Sequence, residues 1–204
     1  MSTTQQSLIE KLGQRDPDAW SRLQATYDGL VRSYLHKHAM ARGYHHFDNY
    51  VGDVVQNIWM RLLSASNGNP YDRSRGRFRT FLYTVTVNAL NDFFRREQRH
   101  VKGRRQMPDS EGLVSTSESD EAEWDRDYKQ AILNTVLDEV RTELCRSNPA
   151  RWESFARSAL GQQPAADVAA ELGISVASVY QNISRTMKEI RERCLAQFEE
   201  DPTE

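Results

Sequence analysis

The sequence predicts an all-α protein made of two small helical domains joined by an acidic, flexible linker. Apolar residues recur at helical spacing almost throughout, and no run of alternating β-branched residues appears. Charge is sharply divided: Arg73 to Arg105 holds ten basic residues against Asp92 and Glu97, whereas Asp109 to Asp127 holds eight acids against Arg126. Residues 106–123 combine Pro108, Gly112 and several Ser and acidic residues, too little apolar surface to order a segment of that length. The expected division is a first domain over 1–100, a linker over 101–123 and a second domain over 124–198.

A first helical region spans about Gln5 to Leu12. Asp16-Pro17 marks a restart, with Asp16 as N-cap and Pro17 at the first helical position. Trp20, Leu23, Tyr27, Leu30, Val31 and Leu35 then form one stripe, and His45 to Asn49 reads as a break. The next helix, about Tyr50 to Leu63, buries Val51, Val55, Ile58 and Leu62. Ser64 to Pro70 is a loop by composition, followed by a helix from about Arg77 to Gln98. Beyond the linker, Trp124 to Leu144 and Trp152 to Leu160 are helical by spacing.

The chain has 204 residues, 38% of them hydrophobic and 27% charged, enough apolar material for packed cores. Its polar beginning lacks a secretion signal, and no stretch approaches the roughly 18 apolar residues of a membrane helix. A cytoplasmic protein with no membrane insertion is expected. Cys145 and Cys194 are far apart and without ligand spacing, so both are expected to be reduced. His36 with His38, and His45 with His46, are the only clusters that suggest a metal. On a helix the first pair points about 200° apart, a poor arrangement for ligands. No metal, cofactor or catalytic residue is expected.

The most specific stretch is Gln163 to Ile183. Pro164 starts a short helix whose inner face is Val168 and Leu172, with Ala169 small where two helices approach. Gly173 supplies a turn, Ser175 a cap, and Val179 and Ile183 turn the second helix inward. This is the plan of a helix-turn-helix, whose second helix enters a major groove. Ser175, Ala177, Ser178, Tyr180, Gln181, Ser184, Arg185 and Lys188 then face outward. Gln181 suits a bidentate pair with adenine, while Arg185 and Lys188 suit phosphates. The ordinary alternative is a helical hairpin with a polar face.

In the first domain, Asp53, Gln56, Asn57 and Met60 share one helix face opposite the buried stripe, with Trp59 nearby, a surface suited to a protein partner. The following segment interleaves arginines and aromatics: Arg75, Arg77, Arg79, Phe81, Tyr83, Asn88, Arg95 and Arg96. Cations hold a nucleic-acid backbone while π faces stack on unpaired bases. Phe93 and Phe94 are read as core; for Phe81 and Tyr83, core packing and base stacking both stay open.

These two blocks, in this order and separated by an acidic stretch, resemble the extracytoplasmic-function sigma factors. Residues about 16–100 look like region 2 of that family and about 124–196 like region 4. Asp53 to Leu62 is similar to the helix that docks on the β′ clamp helices of bacterial core RNA polymerase. Phe78 to Tyr83, followed by Val87-Asn88, is similar to the segment that melts and reads the −10 element, and the loop at about 69–76 to the one that captures a flipped base. Tyr180, Gln181, Ser184 and Arg185 match positions that read the −35 element. The resemblance implies promoter DNA, double-stranded and melted, as ligand. It implies the polymerase β′ clamp helices and β flap as partners, and it admits an anti-sigma factor. Many relatives carry Arg or Lys where this chain has Thr84, Tyr180 and Asn182. Two other classes compete with this reading: a stand-alone helix-turn-helix regulator that binds DNA without polymerase, and a metal-dependent enzyme such as a nuclease.

Overall fold

Asp16 caps the first helix, as its sequence anticipates. Its carboxylate accepts from the amides of Asp18 at 2.9 Å and Ala19 at 3.4 Å, and Pro17 follows with no amide of its own to satisfy. In this computed structural model, residues 16–68, 77–102 and 118–198 are described. They form helices α1 (Pro17–Met40), α2 (Asp48–Gly68), α3 (Phe78–Lys102), α4 (Glu118–Ser147), α5 (Pro149–Ser154), α6 (Ala165–Leu172) and α7 (Val176–Phe198), with a π-helical turn over Phe155–Leu160. No strand occurs among the described residues, so the fold is all-α, as expected. The early helix expected over Gln5–Leu12 lies outside them. No described helix is long and apolar enough to cross a membrane.

The chain divides into two compact units, with the boundary between Ala131 and Ile132. The first is built on α1, α2 and α3. Leu23, Val31, Leu35, Ile58, Leu82 and Leu90 are almost wholly buried between them. Phe93 and Phe94 are also core, as read from sequence, and pack with Tyr44 and Phe47. Residues 64–68, expected as loop, continue α2.

The acidic stretch differs from expectation. Helix α3 runs on to Lys102, and α4 begins at Glu118 rather than near Trp124. Residues 118–131 group with the first unit. The physical reason is an apolar stripe of period four, Trp124 and Tyr128, hidden among acids on the solvent side of the same helix.

The second unit takes its core from Ile132, Val136, Val140 and Leu144 of α4, together with Trp152, Phe155 and Ile190. Asn148 caps α5 by accepting from the Arg151 amide at 3.1 Å, and Pro149 follows it. The expected helix over 152–160 is instead α5 widened into the π turn. Val168, Ala169 and Val179 seal α6 against α7. Between them Gly173 adopts φ 65°, a left-handed conformation that glycine takes without strain.

Candidate nucleic-acid and protein-docking faces

On α2, Asp53, Gln56 and Met60 are exposed, Met60 by 54%, and line up at spacings of three and four. Asn57 is half-buried beside them, and its side-chain oxygen is buried without a hydrogen-bond partner. Gln56 and Met60 border a cleft between α1 and α2 that also takes in Gln24 and Asp28. Trp59 corrects its sequence reading. It is 5% exposed, stands edge-on to Trp20 at 5.9 Å and donates its indole N–H to Asp28 at 3.3 Å. It underpins this face instead of contacting a partner, because it falls on the same stripe as Val55 and Leu62.

Along α3 and the residue just before it, Arg77, Phe81, Thr84, Asn88 and Arg95 succeed one another at spacings of four, three, four and seven. Arg77 and Phe81 are half-buried, while Thr84, Asn88, Arg95 and Arg96 are exposed. Asp92 steadies both arginines: its carboxylate accepts from Arg95 at 3.3 Å and its backbone carbonyl from Arg96 at 3.3 Å. Arg75 and the loop at 69–76 lie outside the described residues.

Two members of the sequence-derived set sit on a different stripe. Tyr83 is 4% exposed, packed against Tyr34 and Trp124, so of its two readings the core one holds in this structure. Arg79 is largely covered and pairs with Asp125 at 3.0 Å. Burial raises the pKa of both Tyr34 and Tyr83. Trp124, Asp125 and Tyr128 escaped the sequence reading of this site. Their only signal was the spacing that continues through Ile132 and Val136.

In the second unit, α6, a short turn and α7 meet as the sequence anticipates. Ser175 accepts from the Ser178 amide at 3.0 Å and caps α7. Ser175, Ala177, Tyr180, Gln181, Ser184, Arg185 and Lys188 are exposed, Tyr180 by 62%, and Ser178 is half-buried. The inner side of α7 is held from α5. Arg151 donates to the Thr186 hydroxyl at 3.1 Å and to Glu189 at 2.7 Å. Arg193 donates to Glu143 at 2.7 Å and also pairs with Glu189. The arrangement offers a rigid helix with one free face carrying amide, hydroxyl, phenol and cationic groups.

Among the described residues no three His, Cys, Asp or Glu side chains come together to hold a metal. Cys145 and Cys194 are free thiols. A search of the curated proteins finds no match to this chain. Residues 23–100 match the family model described as Sigma-70 region 2. The segment that carries α1 to α3 is therefore similar to sigma-70 region 2.

Proposed function

We propose that this protein is a sigma factor of the extracytoplasmic-function type, cytoplasmic and without a catalytic site. It joins bacterial core RNA polymerase, reads the −35 element with the second unit and opens the −10 element with the first. The observation that carries this reading is one chain holding both a region 2 match at residues 23–100 and an outward row of polar and cationic side chains on α7.

Asp53, Gln56, Asn57 and Met60 dock on the β′ clamp helices, with Trp59 setting their platform. Arg77, Phe81, Asn88, Arg95 and Arg96, together with Arg75, engage the opened strand through phosphate pairing and stacking. In the second unit α6–turn–α7 acts as a helix-turn-helix, and this unit also meets the β flap. Gln181 and Arg185 read base edges there, while Lys188 holds phosphate. An anti-sigma partner would act by covering one of these faces.

Gel filtration of the purified protein with bacterial core RNA polymerase tests the reading. A stoichiometric complex, weakened by Asp53→Ala/Gln56→Ala, is expected. Absence of a complex together with tight, salt-dependent binding to duplex DNA would overturn it in favour of a stand-alone regulator.

A further inference from the structure

The start of α4 lies on the basic and aromatic face of the first unit. Trp124, 2% exposed, packs against Tyr34 and Tyr83, each at 5.4 Å between ring centroids, and donates its indole N–H to the Arg79 carbonyl at 3.3 Å. Asp125 pairs with Arg79 at 3.0 Å, and Glu123 pairs with Lys37. One turn on, Tyr128 stacks on Tyr27 at 5.1 Å, with the two hydroxyls 3.1 Å apart. An indole on aromatic rings and carboxylates on cations are the contacts that a base and its phosphates would make.

The fit is incomplete in one respect. The Tyr34 and Tyr83 hydroxyls are buried against each other and interact only with one another, in a poorly formed hydrogen bond. Buried polar groups of this kind favour any ligand able to satisfy them.

We propose that Glu118–Ala131 is an internal occupant of a second basic and aromatic face, beside the exposed strand-binding row of α3, so that this acidic helix and single-stranded nucleic acid exclude one another from Arg79, Tyr34 and Tyr83. The proposal rests on the reading of α3 as a strand-binding helix. Apparent affinity for the strand is then the intrinsic affinity reduced by the fraction of molecules whose face is uncovered.

The test uses the full chain and a fluorescein-labelled random-sequence single-stranded DNA pool at low salt, read by anisotropy. Glu123→Ala/Asp125→Ala, which leaves Trp124 in place, is expected to tighten binding by about five-fold or more. Asp127→Ala/Asp138→Ala removes the same charge at exposed positions and is expected to give a smaller change. A locked form carries Lys37→Cys and Glu123→Cys in a Cys145→Ser/Cys194→Ser background, joined by a reducible bismaleimide. It is expected to bind the strand more weakly, through the exposed row of α3 alone, and reduction is expected to restore the tighter binding. A locked form that binds as well as the reduced one, or equal gains from both double-alanine variants, would overturn the internal occupant while leaving the strand-binding helix intact. Absence of binding by every form, the reduced one included, would overturn the strand-binding reading itself.

Discussion

The side-chain amide of Asn182 on α7 donates to the Ser154 hydroxyl of α5 at 3.2 Å, and that hydroxyl in turn donates to the Ala150 carbonyl at 2.6 Å. Ser154 is fully buried, so Asn182 is spent on fixing the rotation of α7 and does not reach outward. Asn182→Ala is expected to destabilise the second unit by about 1 kcal/mol, with Ser154 still satisfied through Ala150. Thermal unfolding followed by circular dichroism checks this.

Trp59 and Met60 are neighbours in sequence with opposite roles. Trp59→Ala removes a buried ring and one hydrogen bond to Asp28, whose carboxylate keeps its pair with Arg32, so a loss of about 3–5 kcal/mol, mostly from the cavity, is expected in the first unit. Met60→Ala is expected to stay within about 0.5 kcal/mol of wild type. Only Met60→Ala should weaken polymerase binding without a matching loss of stability, as denaturation and gel filtration together would show.

Most of the described helices and their inward stripes were legible from apolar spacing alone, as was the Asp16 cap. The outward row of α7 was legible because Val168, Ala169, Gly173 and Val179 fix which side faces in. Trp59 and Tyr83 were placed on functional faces although each continues a buried stripe, Trp59 after Val55 and Tyr83 before Val87. An aromatic beside arginines has the composition of a stacking site whether or not it is covered, and only the fold says which. The acids of residues 118–123 read as linker because composition averages both sides of a helix. The stripe Trp124, Tyr128, Ile132 was present, but local spacing does not reveal which surface a stripe meets.

Two glycines of the second unit are expected to resist alanine for different reasons. At Gly173 a Cβ would meet nothing within 4 Å, so the penalty is the left-handed φ of 65° alone, about 1 kcal/mol, with Gly173→Asn milder. At Gly161, φ is ordinary, but a Cβ would sit 2.8 Å from the Arg157 carbonyl oxygen at the end of the π turn. Gly161→Ala must displace that turn, and Gly161→Asn should be no better than alanine. Urea unfolding of the four variants separates strain from collision.

The first unit should lose stability at both ends of the pH scale. Burial lowers the pKa of His38, which sits 4.1 Å from Tyr34 between ring centroids; Asp120 and Glu123 oppose that shift, and Lys37 and Arg42 reinforce it. The folded state therefore prefers neutral His38, so its stability is full above about pH 6.5 and falls as pH drops below that value. Burial raises the pKa of Tyr34, Tyr44 and Tyr83. Their contribution is full below about pH 10 and is lost as pH climbs above it. Urea midpoints measured from pH 5 to 11 should trace a plateau with a shoulder at each end, and His38→Phe should flatten the acidic one.

Trp124 closes over Tyr34 and Tyr83 within 5.4 Å of each. The protein thus carries an optical gauge of its own. Light absorbed by those phenols passes to the indole by energy transfer, and an indole shielded from water emits to the blue of a hydrated one. If the acidic helix lifts, transfer to Trp124 weakens and the emission of that indole, one of four in the chain, shifts to the red, so a form that keeps Trp124 alone reports the occupancy of this face without a label.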